Sequence, residues 1–389
     1  MTQPLCFRPR TLGVALSLLL CPGAAWATAG GESPGPPCPV PEVAAGEGVP
    51  SEGRAADASP ASFQAVPVAL SGVPGLLFHG LGTWVAGDTR ASKQLFALEG
   101  AGLGLLAVGG VPIALTGASR RTIGPLYLVA LSGAGLFSIS AAANLYAAVS
   151  PAFPPGAPAP SLPPVELELG YQHVYDPAFD YRHFLSLGAT ARLSRVRLEG
   201  ALHAAPGEGN TRVRMGGAYR LLGAPESARE GAEGTALEVE AAGVFHRFGP
   251  EGFAMGGVEA GVRGRYDMVR LSRRLEGSFA EVSAGMAFQG YSYFGPVSED
   301  ALHEQLLFSF GYGVYLGRQG PVRGEALLYY NHRKDDYAGG VKAAVGVLGY
   351  FGVRGRLFLS ERWGVSADVQ AGSAYTGRVS AVYALGGER

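Results

Sequence analysis

Cysteine, lysine and charge in general are scarce in this 389-residue chain, and each scarcity excludes something. The three cysteines are Cys6, Cys21 and Cys38, and the first two fall in an N-terminal leader, so no disulfide framework can hold the mature chain. Cys38 stands between prolines with no basic neighbour to activate its thiol. Charged residues make up 16% of the sequence, against the ~25% usual in soluble domains. Lysine occurs three times against 28 arginines, and the formal net charge is -1. That balance lacks the basic footprint of nucleic-acid binding, so no nucleic-acid partner is expected. Glycine-rich phosphate loops are also missing from a useful context, since Gly100-Ala101-Gly102-Leu103-Gly104 lies in an apolar stretch with no strand before it.

What is present divides the chain into five parts. Residues 1–27 read as a secretory signal. Arg8 and Arg10 supply the basic start, Thr11 to Leu20 the apolar run, and Ala25-Trp26-Ala27 the small-x-small cleavage site. A lipoprotein site at Cys21 is the alternative, disfavoured by Leu20 before it and Pro22 after it. Residues 28–62, rich in Pro, Gly and Ala without periodicity, cannot bury enough apolar surface to offset ordering entropy and are expected to be a disordered tether. Residues 63–150 form an apolar helical region. Gly100 to Ser119 and Thr122 to Ser150 are free of charge and lack strict alternation, and each is long enough to cross a bilayer at ~20 residues per helix. Small residues four apart, such as Gly100 with Gly104, permit close helix approach. The hairpin therefore either spans a membrane or is buried against its own protein or a partner. Residues 151–164 are a proline-rich spacer, expected to be extended and semi-rigid.

From residue 165 to 389 the period becomes two. In Val165 to Tyr175, Val165, Leu167, Leu169 and Tyr171 alternate with Glu166, Glu168, Gly170 and Gln172. The longest run starts near Val341, where Ala343, Val345, Val347, Phe351, Val353 and Leu357 alternate with Lys342, Gly346, Tyr350, Arg354 and Arg356. Such alternation gives strands with one greasy and one polar face. About twelve strands are expected, starting near residues 165, 183, 196, 212, 236, 255, 279, 305, 322, 341, 362 and 378. Aromatics near segment ends suggest two girdles, one including Tyr175, Phe184, Phe245, Tyr329, Tyr330 and Tyr375, the other Tyr219, Tyr266, Phe279, Phe358, Trp363 and Tyr383. A soluble barrel or sandwich would show the same period, but its polar face would be the solvated one. Here that parity mixes Arg and Glu with Gly, which suits a crowded lumen. On these features residues 165–389 resemble the bacterial outer-membrane β-barrel proteins. The resemblance implies an all-β transmembrane antiparallel barrel preceded by an apolar helical hairpin, located in the cell outer membrane and in contact with its lipid. Two departures stand out. The chain ends without a terminal aromatic, and the connections at 222–234 and 267–277 are longer than the periplasmic turns of that family.

If the parity holds, charged residues of both signs fill the lumen. A basic cluster of Arg212, Arg214, Arg220, Arg263 and Arg265 suggests a narrow, anion-leaning pore, while a mutually satisfied ion-pair network would simply fill the interior. The expected role is that of a narrow pore, or of a membrane platform for an envelope complex engaging other envelope proteins through residues 63–150. An outer-membrane lipid-modifying hydrolase is the alternative from another class, and a periplasmic soluble β-barrel binding domain is a third. The hydrolase reading is weakened because none of the seven histidines has Ser two residues later, and no Asp stands two residues before one. No catalytic residue, metal site or cofactor is expected. His332 with Asp335 and Asp336, and His173 with His183, are explained more simply by loop solvation and chance spacing.

Overall fold

In the computed structural model, the described residues are 65–72, 74–117, 119, 122–159, 162–176, 182–226, 234–249, 253–292, 302–317, 322–333, 337 and 349–386. The leader at 1–27 and the tether at 28–62 lie outside them. So does the first part of the run begun near Val341, including Lys342, Val345 and Val347.

Twelve antiparallel strands close into a ring. They are β1 (Val165–Tyr175), β2 (His183–Leu193), β3 (Val196–Ala205), β4 (Asn210–Leu222), β5 (Ala236–Arg247), β6 (Ala254–Asp267), β7 (Ser278–Ser292), β8 (Leu302–Leu316), β9 (Arg323–Asn331), β10 (Tyr350–Phe358), β11 (Trp363–Ala371) and β12 (Tyr375–Leu385). Each pairs with its sequence neighbours, and β1 closes on β12 from Val165↔Leu385 to Tyr175↔Tyr375. Closure leaves no unpaired edge, which a sheet in lipid requires. Eleven strands begin within three residues of the positions read from the sequence, and the tenth begins at Tyr350. The ring has a terminal end, where the chain enters at Val165 and leaves at Leu385, and a distal end.

Before the barrel come α1 (Ala65–Gly72), a 3-10 turn (Pro74–Leu76), α2 (Leu81–Val85), α3 (Thr89–Thr116) and α4 (Ile123–Val149). Asp88 caps α3 by accepting from the Ala91 N–H at 2.9 Å, and Gly117 ends it in the left-handed region. The two long helices touch through glycine. A Cβ on Gly102 would sit 2.9 Å from the Gly133 carbonyl oxygen, and one on Gly109 would sit 2.4 Å from that of Leu126. This is the close approach that small residues four or seven apart allow between helices.

The hairpin lies against the outside of the barrel. Leu131, Ile139, Ala143 and Ala147 of α4 pack on Phe308, Phe310 and Tyr312 of β8 and on Tyr330 of β9. Gly135 lets the Phe310 ring come so near that a Cβ would meet it at 3.1 Å. The long β6–β7 connection explains one departure from the expected pattern, because it clamps the hairpin's base. Its Arg274 donates to the Ala86 carbonyl at 2.8 Å, and its Ser272 donates to Asp88 at 3.1 Å. In return Tyr146 and Ser150 donate to the carbonyls of Glu276 and Arg274 at 2.6 and 2.8 Å.

A buried polar knot fixes α1 and α2 to this base. His79 Nδ1 lies 2.5 Å from Ser140 Oγ, the His79 N–H donates to Glu99 at 2.8 Å, and the Gly80 N–H donates to Asn144 at 3.0 Å. His79, Ser140 and Asn144 are wholly inaccessible. Burial lowers the His79 pKa below the usual histidine value, outweighing the opposite pull of Glu99, so the ring is held neutral.

The proline-rich spacer is a strap across the terminal end. It leaves α4 beside β7 and β8, where the Ala157 N–H donates to the Gly317 carbonyl at 3.0 Å. It arrives at β1, where Arg192 donates to the Pro163 carbonyl at 3.0 Å and the Leu162 N–H donates to that of Glu226 at 3.4 Å. In a ring of twelve, β7 stands opposite β1. Strand spacing of ~4.8 Å and a tilt of ~40° give a barrel about 24 Å across. Twelve extended residues at ~3.1 Å each reach about 37 Å, enough to cross it.

Candidate functional site: the lumen

Alternation along each strand sorts side chains to two sides of the wall. Outside stand Leu169, Leu185, Met215, Val258, Val353, Val369 and Val379, all more than half exposed in the absence of lipid. At the ends of this apolar band Tyr175, Phe245 and Tyr375 ring the distal rim, and Trp363 packs on Tyr383 at 4.7 Å near the terminal rim. Inside stand arginine and carboxylate. A closed barrel that is greasy outside and charged inside is built for a bilayer, with aromatic rings at its interfaces. The fold is that of a membrane-spanning β-barrel.

No protein-family model matches this barrel protein, and no curated protein does. Among solved structures it is similar to the KdgM porin, at 10% identity and a TM-score of 0.33 over 57% of this chain and 99% of that one. It is similar to the outer membrane protein Omp33 of Acinetobacter baumannii, at 12% identity and 0.29, over 57% and 98%. A third is the translocator domain of the autotransporter NalP from Neisseria meningitidis, at 10% identity and 0.34, over 57% and 88%.

Four aromatics expected in the girdles are not there. Phe184, Phe279, Tyr329 and Phe358 share the lumen-facing parity of their strands. They are used inside: Arg265 lies over the Phe279 ring at 4.1 Å and Arg323 over Phe358 at 5.3 Å, contacts in which a flat guanidinium loses little on leaving water. Tyr330 does face outward, but α4 covers it.

The five arginines of the basic cluster all face the lumen and line its two joined cavities, of about 290 and 390 Å3. They are not gathered into one patch, and each has a partner. Arg214 reaches Glu259 at 3.1 Å, Arg263 reaches Glu240 at 2.7 Å, and Arg265 bridges Glu281 at 2.9 Å and Glu325 at 2.7 Å. Arg220 joins Glu238 at 2.5 Å and Glu226 at 2.7 Å. Arg212 lies 5.8 Å from the centre of the Tyr337 ring. Cross-strand register makes this possible, because Arg220↔Glu238 and Arg265↔Glu281 are direct neighbours on adjacent strands.

Both mouths are crossed by the chain itself. At the terminal end the second long connection, between β4 and β5, carries Glu226 into the lumen. There its carboxylate holds Arg192 at 3.1 Å, Arg197 at 2.7 Å and Arg220 at 2.7 Å. Ala159 and Leu162 of the strap complete the lining of the smaller cavity. At the distal end Tyr337, from the β9–β10 connection, reaches across to Val174, Phe184 and Ala205 on the lumen face of β1 to β3. Its ring lies 4.8 Å from that of Phe184, and its hydroxyl donates to Asn210 at 3.4 Å. Glu226, Tyr337 and the strap were invisible to strand parity, since none lies in an alternating segment. Arg378 does lie in one, on β12, and alternation with Val379 could have found it.

Proposed function

We propose that the protein is a narrow channel for small polar solutes, held closed at rest by its own chain. The observation that carries this reading is Glu226, one loop carboxylate bound to three arginines of the wall beneath the strap. A wall that only filled its own interior would pair strand with strand and need no loop in its mouth. Removing a partner from a buried pair leaves an uncompensated charge, at a cost of roughly 3–5 kcal/mol, so loss of this carboxylate should free both the loop and the mouth.

The test is single-channel recording in planar bilayers of the full chain, of Glu226→Gln, and of Glu226→Gln combined with Tyr337→Ala. The wild type should show rare, small openings, and the double variant frequent and larger ones. Silence in all three, with barrels that still show heat-modifiable gel migration, would sink the channel. A membrane platform engaging envelope proteins through residues 63–150 would then be the better reading. A hairpin seated on the outer wall, with Val108, Val111 and Leu115 of α3 turned away from the barrel, favours that second role.

A further inference from the structure

The ion pairs of the lumen do not balance. Among the described residues twelve arginines line the two cavities against nine carboxylates, with Glu166 and Asp267 buried on the same face of the wall, so arginine is in excess. The surplus has an address. Arg323 makes no ion pair among the described residues, and its Nε is buried without a hydrogen-bond partner. Arg354 comes no nearer than 3.7 Å to Glu281, whose close partner is Arg265 at 2.9 Å. Arg378 comes no nearer than 3.6 Å to Asp368, which already accepts from Tyr329 at 2.9 Å and Gln370 at 3.2 Å. All three arginines line the same cavity of about 290 Å3, under the strap.

One arginine with no ion pair among the described residues and two with only long ones, in an enclosed space with low-dielectric walls, draw an anion more strongly than they would in water. Guanidinium adds selectivity of shape, since its fork of N–H donors matches the paired oxygens of carboxylate and phosphate. We propose that this cavity binds a compact dianion bearing carboxylate or phosphate oxygens, held by Arg323, Arg354 and Arg378. These three differ from the cluster read from the sequence, whose members are taken up by the wall. As the solute of a channel the anion rests on the reading above, whereas as an occupant of the cavity it does not.

The experiment is titration calorimetry on the full chain in detergent, with inorganic phosphate in one arm and succinate in the other. Sodium chloride at matched ionic strength is the control. Saturable binding of either dianion, with none for chloride, is expected. The triple variant Arg323→Gln, Arg354→Gln, Arg378→Gln should bind at least tenfold more weakly. It should fold, because Glu281 and Asp368 keep their closer partners. Should it fail to assemble, Arg378→Gln alone must still weaken binding severalfold. No saturable binding to the wild type, or undiminished binding to the variants, overturns the site. The readout needs no conduction, so a silent channel that binds phosphate would refute the channel and leave the site standing.

Discussion

The outer wall of this barrel has two sectors of the same strand parity with different neighbours. Over β1 to β6 and β10 to β12 the outward residues are mostly aliphatic and bare, with Met215 68% and Val379 63% exposed. Over β8 and the adjoining end of β9 they include Phe308, Phe310, Tyr312 and Tyr330, and α4 leaves none of these four above 9%, while Leu328 of β9 stays 55% exposed. Lipid tails are as apolar as leucine, so helix and wall gain little from hydrophobicity alone when they meet within a bilayer. What distinguishes the covered sector is shape. Flat rings offer broad surface, and Gly135 gives the Phe310 ring a flat seat on the helix. An apolar outward face thus marks contact with lipid or with helix alike.

Charge on the bare sector should break the contrast most severely. Val353→Arg or Leu169→Arg puts a cation among lipid tails at a cost of about 2–4 kcal/mol near the midplane. Loss of heat-modifiable migration is expected, while Thr190→Arg, on the cavity-lining parity, should assemble. Equal tolerance of all three would contradict the assignment of inside and outside. Next in size is the hairpin. Gly109→Leu drives a side chain into the backbone of α4 and should splay the helices, exposing the covered sector to protease and to cysteine-labelling at Phe310→Cys. Gly104→Leu meets nothing within 4 Å and should leave labelling unchanged, so matching effects would mean that the helices do not cross as described.

The smallest effect sharpens the picture at the hairpin's base. Because burial lowers the His79 pKa, the unfolded segment binds a proton more readily than the folded one. The stability of the neutral ring is present above the free value of ~6.5 and fades as pH falls below it. Glu99 is the ionisable group that faces this ring and moderates the loss. The protection factors of the amides across residues 65–88, corrected for intrinsic exchange, should therefore fall between pH 7 and pH 5. His79→Gln should flatten that dependence, and a variant as pH-sensitive as the wild type would acquit His79.

Most of the barrel was legible because period two is a property of single strands. Glu166 beside Leu167 already states which side of the wall each occupies, and eleven strand starts followed from such pairs. Girdle membership was less legible, since an aromatic at a strand end looks alike on either parity: Phe279 and Phe358 went inward to meet arginine. The five clustered arginines were placed in the lumen by sequence alone, but pairing is a matter of register, which local pattern does not specify. Hardest were contacts made across the ring. Nothing near Glu226 announces Arg192, and nothing near Tyr337 announces Phe184, because each pair is joined only by the curvature of a closed sheet.

The strap also bears on the order in which this molecule can be assembled. α4 must seat on β8 and β9, which are synthesised more than 150 residues after its own first turn, while the strap ties its far end to β1 on the opposite side of the ring. Until that distant wall exists the hairpin has no seat, and its greasy helices stay uncovered. Because the strap joins α4 to β1, seating the hairpin on β8 and β9 limits how far β1 can stray from that side of the ring. The spacer is then a measuring line as much as a barrier, and its length should matter to barrel closure whether or not any solute ever passes beneath it.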